Sequence, residues 1–132
     1  MNPQRDFAVL VARVLLAGMF IYSGFGKLTG FAGTAGFIAS KGMPLPELMA
    51  AGAIAVELGC GLLLLAGYKA RWAALAIFLF LIPTTLIFHN FWAAAPEQLM
   101  SQKINFMKNV TIMGGMLMVW AFGPGRFSVD RA

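Results

Sequence analysis

The sequence predicts an all-α integral membrane protein, a four-helix bundle with a short interfacial helix between its first and second spans. Two observations carry this prediction. Of the 132 residues, 60% are hydrophobic and 11% are charged, so the chain has more apolar surface than a soluble domain of this size can bury. The apolar residues also form four runs, each near the roughly 20 residues that a helix needs to cross a bilayer.

The predicted spans account for most of the chain. We place them at about residues 7–26, 47–68, 72–91 and 104–123. The connections leave no room for a further folded unit, so residues 1–132 are expected to form one transmembrane domain. Any activity must therefore lie in the bundle, in its loops or in a partner.

The second span carries one carboxylate near its middle, Glu57, and an isolated anionic carboxylate at that depth is costly. It must be protonated, face a wet cavity or meet a cation from another helix. Arg13 in the first span lies in the same half of the bilayer if the two helices are antiparallel, which predicts a structural ion pair between Arg13 and Glu57. The alternative is that Arg13 extends to the nearer membrane surface.

The connections predict how the spans follow one another. Residues 31–46 suit a short helix at the membrane interface, ended by Gly42 and Pro44. The turn at residues 69–71 is tight, so the second and third spans form a close antiparallel pair. Residues 92–103 are polar and mixed, which predicts a loop before the fourth span.

Two further features predict local structure in the second half of the chain. Pro83 interrupts the backbone hydrogen bonding of the third span, where Thr84 or Thr85 is available to satisfy freed backbone groups. Gly123-Pro-Gly125 ends the fourth span, after which Ser128 and Asp130 are expected to cap a local turn.

The basic residues predict the orientation of the bundle. One side holds both chain termini and carries more of the loop arginines and lysines, so the positive-inside rule puts both termini in the cytoplasm of a bacterial inner membrane. The residues on that side are Arg5, Lys69, Arg71, Arg126 and Arg131, against Lys27, Lys41 and Lys103 on the other side.

On this topology, a group of polar residues gathers in the outer part of an apolar bundle, with Tyr22 and Ser23 nearby. Cations, amides and a histidine that can gain or lose a proton suit an anionic group or the carbonyl oxygens of a quinone ring. The alternative is that these side chains extend to the lipid head groups, as the lysine at a helix end readily does. The predicted ligand-binding residues are Lys27, Glu57, His89, Lys108 and Asn109.

Other kinds of site find little support. Cys60 is the only cysteine, which excludes an intramolecular disulfide and favours a small packing residue. His89 is the only histidine and lies at a different depth from Glu57, so no metal site is predicted. No catalytic residue can be assigned, and the absence of a basic cluster with interleaved aromatic residues argues against nucleic acid.

Short motifs spread over the whole chain resemble those of the DoxX family of small four-helix bacterial membrane proteins. They occur in the family's order and spacing from about Phe7 to Arg131. The motifs are Leu10-Val-Ala-Arg13, Gly24-Phe-Gly-Lys27, Gly33-Thr34, Gly42-Met-Pro44, Glu57 with Gly59 and Gly61, Gly67 followed by Arg71, His89, Phe106-Met-Lys-Asn109 and Gly123-Pro-Gly-Arg-Phe-Ser-Val-Asp130.

The resemblance implies a role in membrane-associated redox complexes, because DoxX relatives include a subunit of an archaeal thiosulfate:quinone oxidoreductase. The function expected first is therefore a quinone- or small-ligand-binding membrane subunit of a redox system, with quinone as its cofactor and redox proteins as partners. The alternative is a non-enzymatic accessory or assembly protein whose buried charges serve structure. In both cases the expected environment is the lipid bilayer, and a homo-oligomer is compatible with either function. Whether the chain itself catalyses a reaction stays open.

Overall fold

A computed structural model describes residues 2–131, and within this range the chain is all-helical, with no strand. Helix α3 contains a π-helical segment, Ala55–Cys60, and a 3-10 turn, Phe91–Ala93, precedes α5. The helices are α1 Pro3–Thr29, α2 Phe31–Ser40, α3 Pro46–Ala66, α4 Ala70–Phe88 and α5 Pro96–Phe122.

Three segments are long and apolar enough to cross a membrane: α1, α3 and the segment Ala70–Ala93. They coincide with the first three predicted spans. The 27 residues of α5 have the length, but this helix does not join the candidate spans, because polar residues such as Lys108 and Asn109 lower its hydropathy. The fourth span and the four-helix transmembrane bundle therefore stay predictions.

The predicted short helix between the first two spans is present as α2, whose buried residues Ala35 and Ile38 pack against Ala50 of α3. The predicted loop at residues 92–103 is wrong for most of its length, because α5 begins at Pro96. Proline suits the first turn of a helix, where its missing N–H would have no partner, and the polar residues that suggested a loop form the solvent-facing start of α5.

Helices α1 and α3 are antiparallel and pack closely. A Cβ added at Gly24 would lie 2.7 Å from the backbone nitrogen of Leu58, and one added at Gly61 would lie 3.1 Å from Ile21 Cγ1. Small residues at these two positions therefore let the backbones approach. The core below this crossing comes from all four long helices and includes Phe20, Leu64, Ile77 and Met116.

Helix α4 follows α3 through the predicted tight turn, in which Gly67 and Lys69 adopt positive φ angles of 71° and 49°. It continues through Pro83, and Thr84 Oγ1 donates to the Phe80 carbonyl at 2.8 Å. The carbonyl that Pro83 leaves without its helical donor is that of Leu79, four residues earlier, so this hydrogen bond is not the compensation that the sequence predicted.

The chain after α5 folds back over the bundle end that holds both termini, and Arg13 fixes it there. The Arg13 side chain is 3% exposed and donates to the carbonyls of Pro124, Phe127 at 2.7 Å and Leu65 at 3.3 Å. A guanidinium carries enough donors to satisfy several carbonyls, so one residue of α1 holds the C-terminal tail to α3.

The predicted Arg13–Glu57 ion pair is corrected by this arrangement. Leu65, the residue on α3 that Arg13 reaches, lies about two helical turns from Glu57, too far for the guanidinium to span both. The membrane-surface alternative does not describe Arg13 either, because the side chain is buried under the tail. Its partners are backbone carbonyls that the tertiary structure brings close, whereas the sequence suggested only a carboxylate as partner.

The C-terminal tail also caps α4. Asp130 accepts hydrogen bonds from the backbone N–H groups of Lys69 at 2.9 Å and Ala70 at 3.0 Å. Ser128 forms the local turn that was predicted, donating to the Gly125 carbonyl and accepting from Arg131 N. Asp130 was expected in the same local turn and instead caps a helix 60 residues earlier in the chain.

Replacing Arg13 by methionine is expected to lower the stability of the protein by about 2–3 kcal/mol, because three backbone carbonyls, one of them buried, lose a charged donor. The tail should also become sensitive to carboxypeptidase. Thermal unfolding in mild detergent and a time course of tail digestion measure the two effects. Arg5→Met, on an exposed residue of the same helix, is the matched control. Equal melting of the two variants would contradict this account of the tail.

Candidate functional site

A partly buried ion pair joins α1 to α3 near the end of the bundle that carries α2, here called the α2 end. Lys27 Nζ lies 2.9 Å from Glu57 Oε2 and donates to Oε1 at 3.1 Å. Ser23, one turn before Lys27, donates to Oε1 at 2.7 Å and accepts from Lys27 Nζ at 2.8 Å. The Glu57 side chain is 7% exposed and that of Lys27 is 34% exposed.

The local backbone of α3 presents this carboxylate. Glu57 lies within the π-helical segment, and single π turns inside α-helices occur often at functional sites. The close approach of Gly24 to Leu58 brings α1 against the same segment. The side chains of Ser23 and Lys27, on the face of α1 that includes Gly24, can therefore reach a carboxylate that stays among apolar side chains.

A cavity of about 420 Å³ lies beside the ion pair, among the four long helices and α2. Its wall includes all five predicted ligand-binding residues. These five are Lys27, Glu57, His89, Lys108 and Asn109, and three hydroxyl residues, Ser23, Thr34 and Thr84, also line the cavity. The remainder is apolar and includes Phe20, Phe37, Ile38, Met43, Phe80, Leu81, Ile87 and Phe88.

Two side-chain hydrogen bonds hold polar groups of this wall in place. Asn109 Nδ2 donates to Thr85 Oγ1 at 3.2 Å, and both residues are buried, so α5 is fixed to α4. His89 Nδ1 lies 2.9 Å from Gln102 Oε1. Because an amide oxygen accepts, Nδ1 carries the proton in this arrangement, and Nε2 of a neutral ring remains an acceptor.

Lys108 is the least constrained of the five. It is exposed, and it forms no hydrogen bond or ion pair with any residue from 2 to 131. It lies one residue before Asn109, which is 5% exposed. Its ammonium group is therefore free to move toward a ligand at the edge of the cavity.

Helix α2 closes the cavity at the α2 end of the bundle. Phe37 of α2 packs on Phe88 of α4 with ring centroids 5.5 Å apart, and Thr34 and Ile38 also line the cavity. The sequence suggested a cap over the mouth of the bundle as one role for this segment. The structure places α2 against the cavity, as that role requires.

Sequence reasoning missed several partners in this site. Gln102 lay in a predicted loop, and the structure places it in the first turns of α5, facing His89. Ser23 was expected only near the site, although its position four residues before Lys27 is the spacing at which two helical side chains meet. Tyr22, expected beside Ser23, is 84% exposed and faces away.

Metal ligands do not gather anywhere in the part of the chain that the structure describes: residues 2–131 hold no group of three or more His, Cys, Asp or Glu side chains suited to an ion. Cys60 is partly buried beside the core, among the helices. The polar groups of the cavity are a carboxylate, two amines, an imidazole, an amide and three hydroxyl groups.

Comparison with known proteins places this chain among bacterial membrane proteins. The DoxX family model matches residues 8–90. Inner membrane protein YqjF of Escherichia coli is 40% identical over 99% of this chain and 95% of its own length. Inner membrane protein YphA of the same organism is 35% identical over 96% and 91% of the two chains.

A more distant relative is eukaryotic. The Surfeit locus protein 4 homolog of Schizosaccharomyces pombe is 27% identical over 98% of this chain, which spans 39% of that protein. No solved structure matches the chain. The family model covers more than half of the sequence, and two bacterial relatives align with nearly all of it. The chain therefore belongs to the DoxX family and is an integral protein of the bacterial inner membrane.

Proposed function

We propose that this protein binds an amphipathic small molecule with a quinone-type head group, and that it serves as a membrane subunit of a redox system. One observation carries the proposal. The cavity of about 420 Å³ combines a mainly apolar wall with the five predicted polar side chains and three hydroxyl groups, and it includes the partly buried Lys27–Glu57 ion pair. This volume lies within the range of about 300–1,000 Å³ that small-molecule sites occupy.

The chemistry of the wall favours a ligand that is part apolar and part polar. Phe37, Phe80 and Phe88 offer a surface for a ring or an isoprenoid chain. Lys108 has no partner among residues 2–131 and can donate to a ligand oxygen. His89 places an imidazole in the wall, and its Nδ1 lies 2.9 Å from Gln102 Oε1.

The protein purified in mild detergent is expected to carry such a molecule, and Lys108→Met is expected to lose most of it, because the free cation at the edge of the cavity is removed. Native mass spectrometry of the protein, with chromatography of the extracted lipids, measures occupancy. Lys103→Met is the matched control: it removes the same charge from α5, at a residue that is exposed and outside the cavity wall. A wild-type protein without any specific small molecule would contradict the proposal.

A non-enzymatic accessory role is the second candidate, and the hydrogen-bonded contacts between helices favour it. The Lys27–Glu57 pair joins α1 to α3, and the Asn109–Thr85 hydrogen bond joins α5 to α4. Polar groups used this way fix the register of helices in an apolar surrounding, whether or not a ligand binds. Lys108→Met distinguishes the two candidates. A ligand-binding protein should lose its bound molecule, whereas the contacts of a purely structural protein should be unaffected, since Lys108 contributes to neither of them.

The Lys27–Glu57 pair is expected to act as a unit in stability. Lys27→Met alone should cost about 1–3 kcal/mol, because it leaves a buried carboxylate without its cation; the exposed third of the lysine keeps the loss below that of a fully buried pair. The double variant with Glu57→Gln should melt above Lys27→Met, since no buried charge is then left alone. Thermal unfolding of all combinations measures the coupling, with the exposed Glu47→Gln as control. Strictly additive losses would contradict it.

We further propose that α5 is the fourth span and that both termini lie in the cytoplasm. The length of α5 and its antiparallel packing against α4 support the span. The orientation is supported by the basic residues at the end that holds both termini, which include Arg5, Lys69 and Arg71.

Single cysteines placed on a Cys60→Ser background test this topology. A membrane-impermeant maleimide applied to intact cells is expected to label Lys41→Cys and Lys103→Cys, and to label Lys69→Cys and Arg131→Cys only after permeabilisation. All four positions are exposed. The reverse labelling pattern would indicate the opposite orientation. Equal labelling of Lys103→Cys and Arg131→Cys in intact cells would indicate that α5 does not cross the membrane.

A further inference from the structure

A surface groove lies between α4 and α5 at the end of the bundle that holds both termini, opposite the α2 end. It has a volume of about 450 Å³ and is here called the tryptophan groove. Its wall is formed by Arg71 and Trp72, in the first turn of α4, with Trp120 and Ala121, in the last turn of α5. Both indole side chains are exposed, so they face the surroundings of the bundle.

The tryptophan groove lies at the level where the bilayer meets water. The third apolar segment begins at Ala70, one residue before Arg71, so the first turn of α4 is also the start of that span. Tyr68, in the turn before α4, is a further exposed aromatic residue at this end. Tryptophan and tyrosine are enriched at membrane–water interfaces, at the depth of the lipid head groups. In a membrane, the groups that reach this groove are therefore lipid head groups.

The groove carries one cation without a protein partner. Arg71 is exposed, and its side chain forms no hydrogen bond or ion pair with any residue from 2 to 131. Asp130, the acidic residue that contacts the start of α4, accepts from the backbone N–H groups of Lys69 and Ala70 instead. Within the described chain, no carboxylate lines the groove. The charge of the groove therefore complements an anionic group.

We propose that the tryptophan groove binds the head group of an anionic phospholipid, such as phosphatidylglycerol. A guanidinium matches two oxygens of a phosphate with parallel hydrogen bonds, and an indole N–H donates to a phosphate or ester oxygen. A zwitterionic head group adds an ammonium that Arg71 repels, so the lipid with net negative charge is preferred. The proposal goes beyond the ligand cavity and uses no residue of the cavity wall.

Brominated lipids test the proposal, because bromine quenches the fluorescence of an indole that it touches. The chain has 3 tryptophans, and Trp92 lies at the α2 end, against Phe91 and Phe106. On a Trp92→Phe background, the two tryptophans of the groove are the remaining indoles. This protein is reconstituted in phosphatidylcholine vesicles at about 0.15 M salt, which screens long-range attraction. Either added phosphatidylglycerol or a matching fraction of the phosphatidylcholine carries bromine at the same acyl positions.

The background protein is expected to bind phosphatidylglycerol at the groove about fivefold more tightly than phosphatidylcholine. Arg71→Met should bring this ratio close to one, because it removes the cation that distinguishes the two head groups. Arg5→Met is the matched control: it removes an exposed arginine from the same end of the bundle, outside the groove, and should keep the ratio. Thermal unfolding of both variants checks that the fold is retained.

Three results would overturn the proposal. The first is a ratio near one in the background protein, or a preference that survives Arg71→Met. The second is an equal fall of the ratio in Arg5→Met and Arg71→Met, because the preference would then come from the charge of the whole end. The third is an absence of quenching by either lipid, which would indicate a groove covered by protein, such as a second copy of the chain. These measurements do not involve the ligand cavity, so their outcome is independent of the proposed function.

Discussion

The burial of a carboxylate inside an apolar helix bundle is the constraint on which the rest of this structure depends. Glu57 cannot reach water from the middle of α3, so the fold must bring a cation and a hydroxyl to it. Both come from one face of α1, which requires that α1 lie antiparallel and close to α3. The glycines at positions 24 and 61 permit that approach, since a Cβ at Gly24 would collide with the backbone of α3.

A second buried charge is satisfied in a different way at the opposite end of the same helix. Arg13 forms no ion pair with a carboxylate of residues 2–131, and three backbone carbonyls from α3 and the C-terminal tail accept its hydrogen bonds. The tail then contributes Asp130 as the cap of α4. Each end of α1 thus connects distant parts of the chain through polar contacts, which specify partners more sharply than apolar packing does.

The ion pair and the cavity are two parts of one arrangement. Lys27 and Glu57 neutralise each other, and the ammonium lies 2.9 Å from one carboxylate oxygen and 3.1 Å from the other. Helix α2 closes the space above them, and Asn109 with Thr85 fixes the opposite wall. A bundle built only for stability would gain more from filling this space with side chains, because a cavity costs packing energy.

The sequence by itself determined the helical class, the three apolar segments and five of the polar residues that line the cavity, because hydropathy and the cost of charge in an apolar surrounding are properties of composition and spacing. Only the tertiary structure decided the pairing. Arg13 and Lys27 both offered a cation for Glu57, and the register of α1 against α3 selected Lys27. Gln102 and Asp130 likewise gained their roles from contacts between distant segments, which local pattern does not encode.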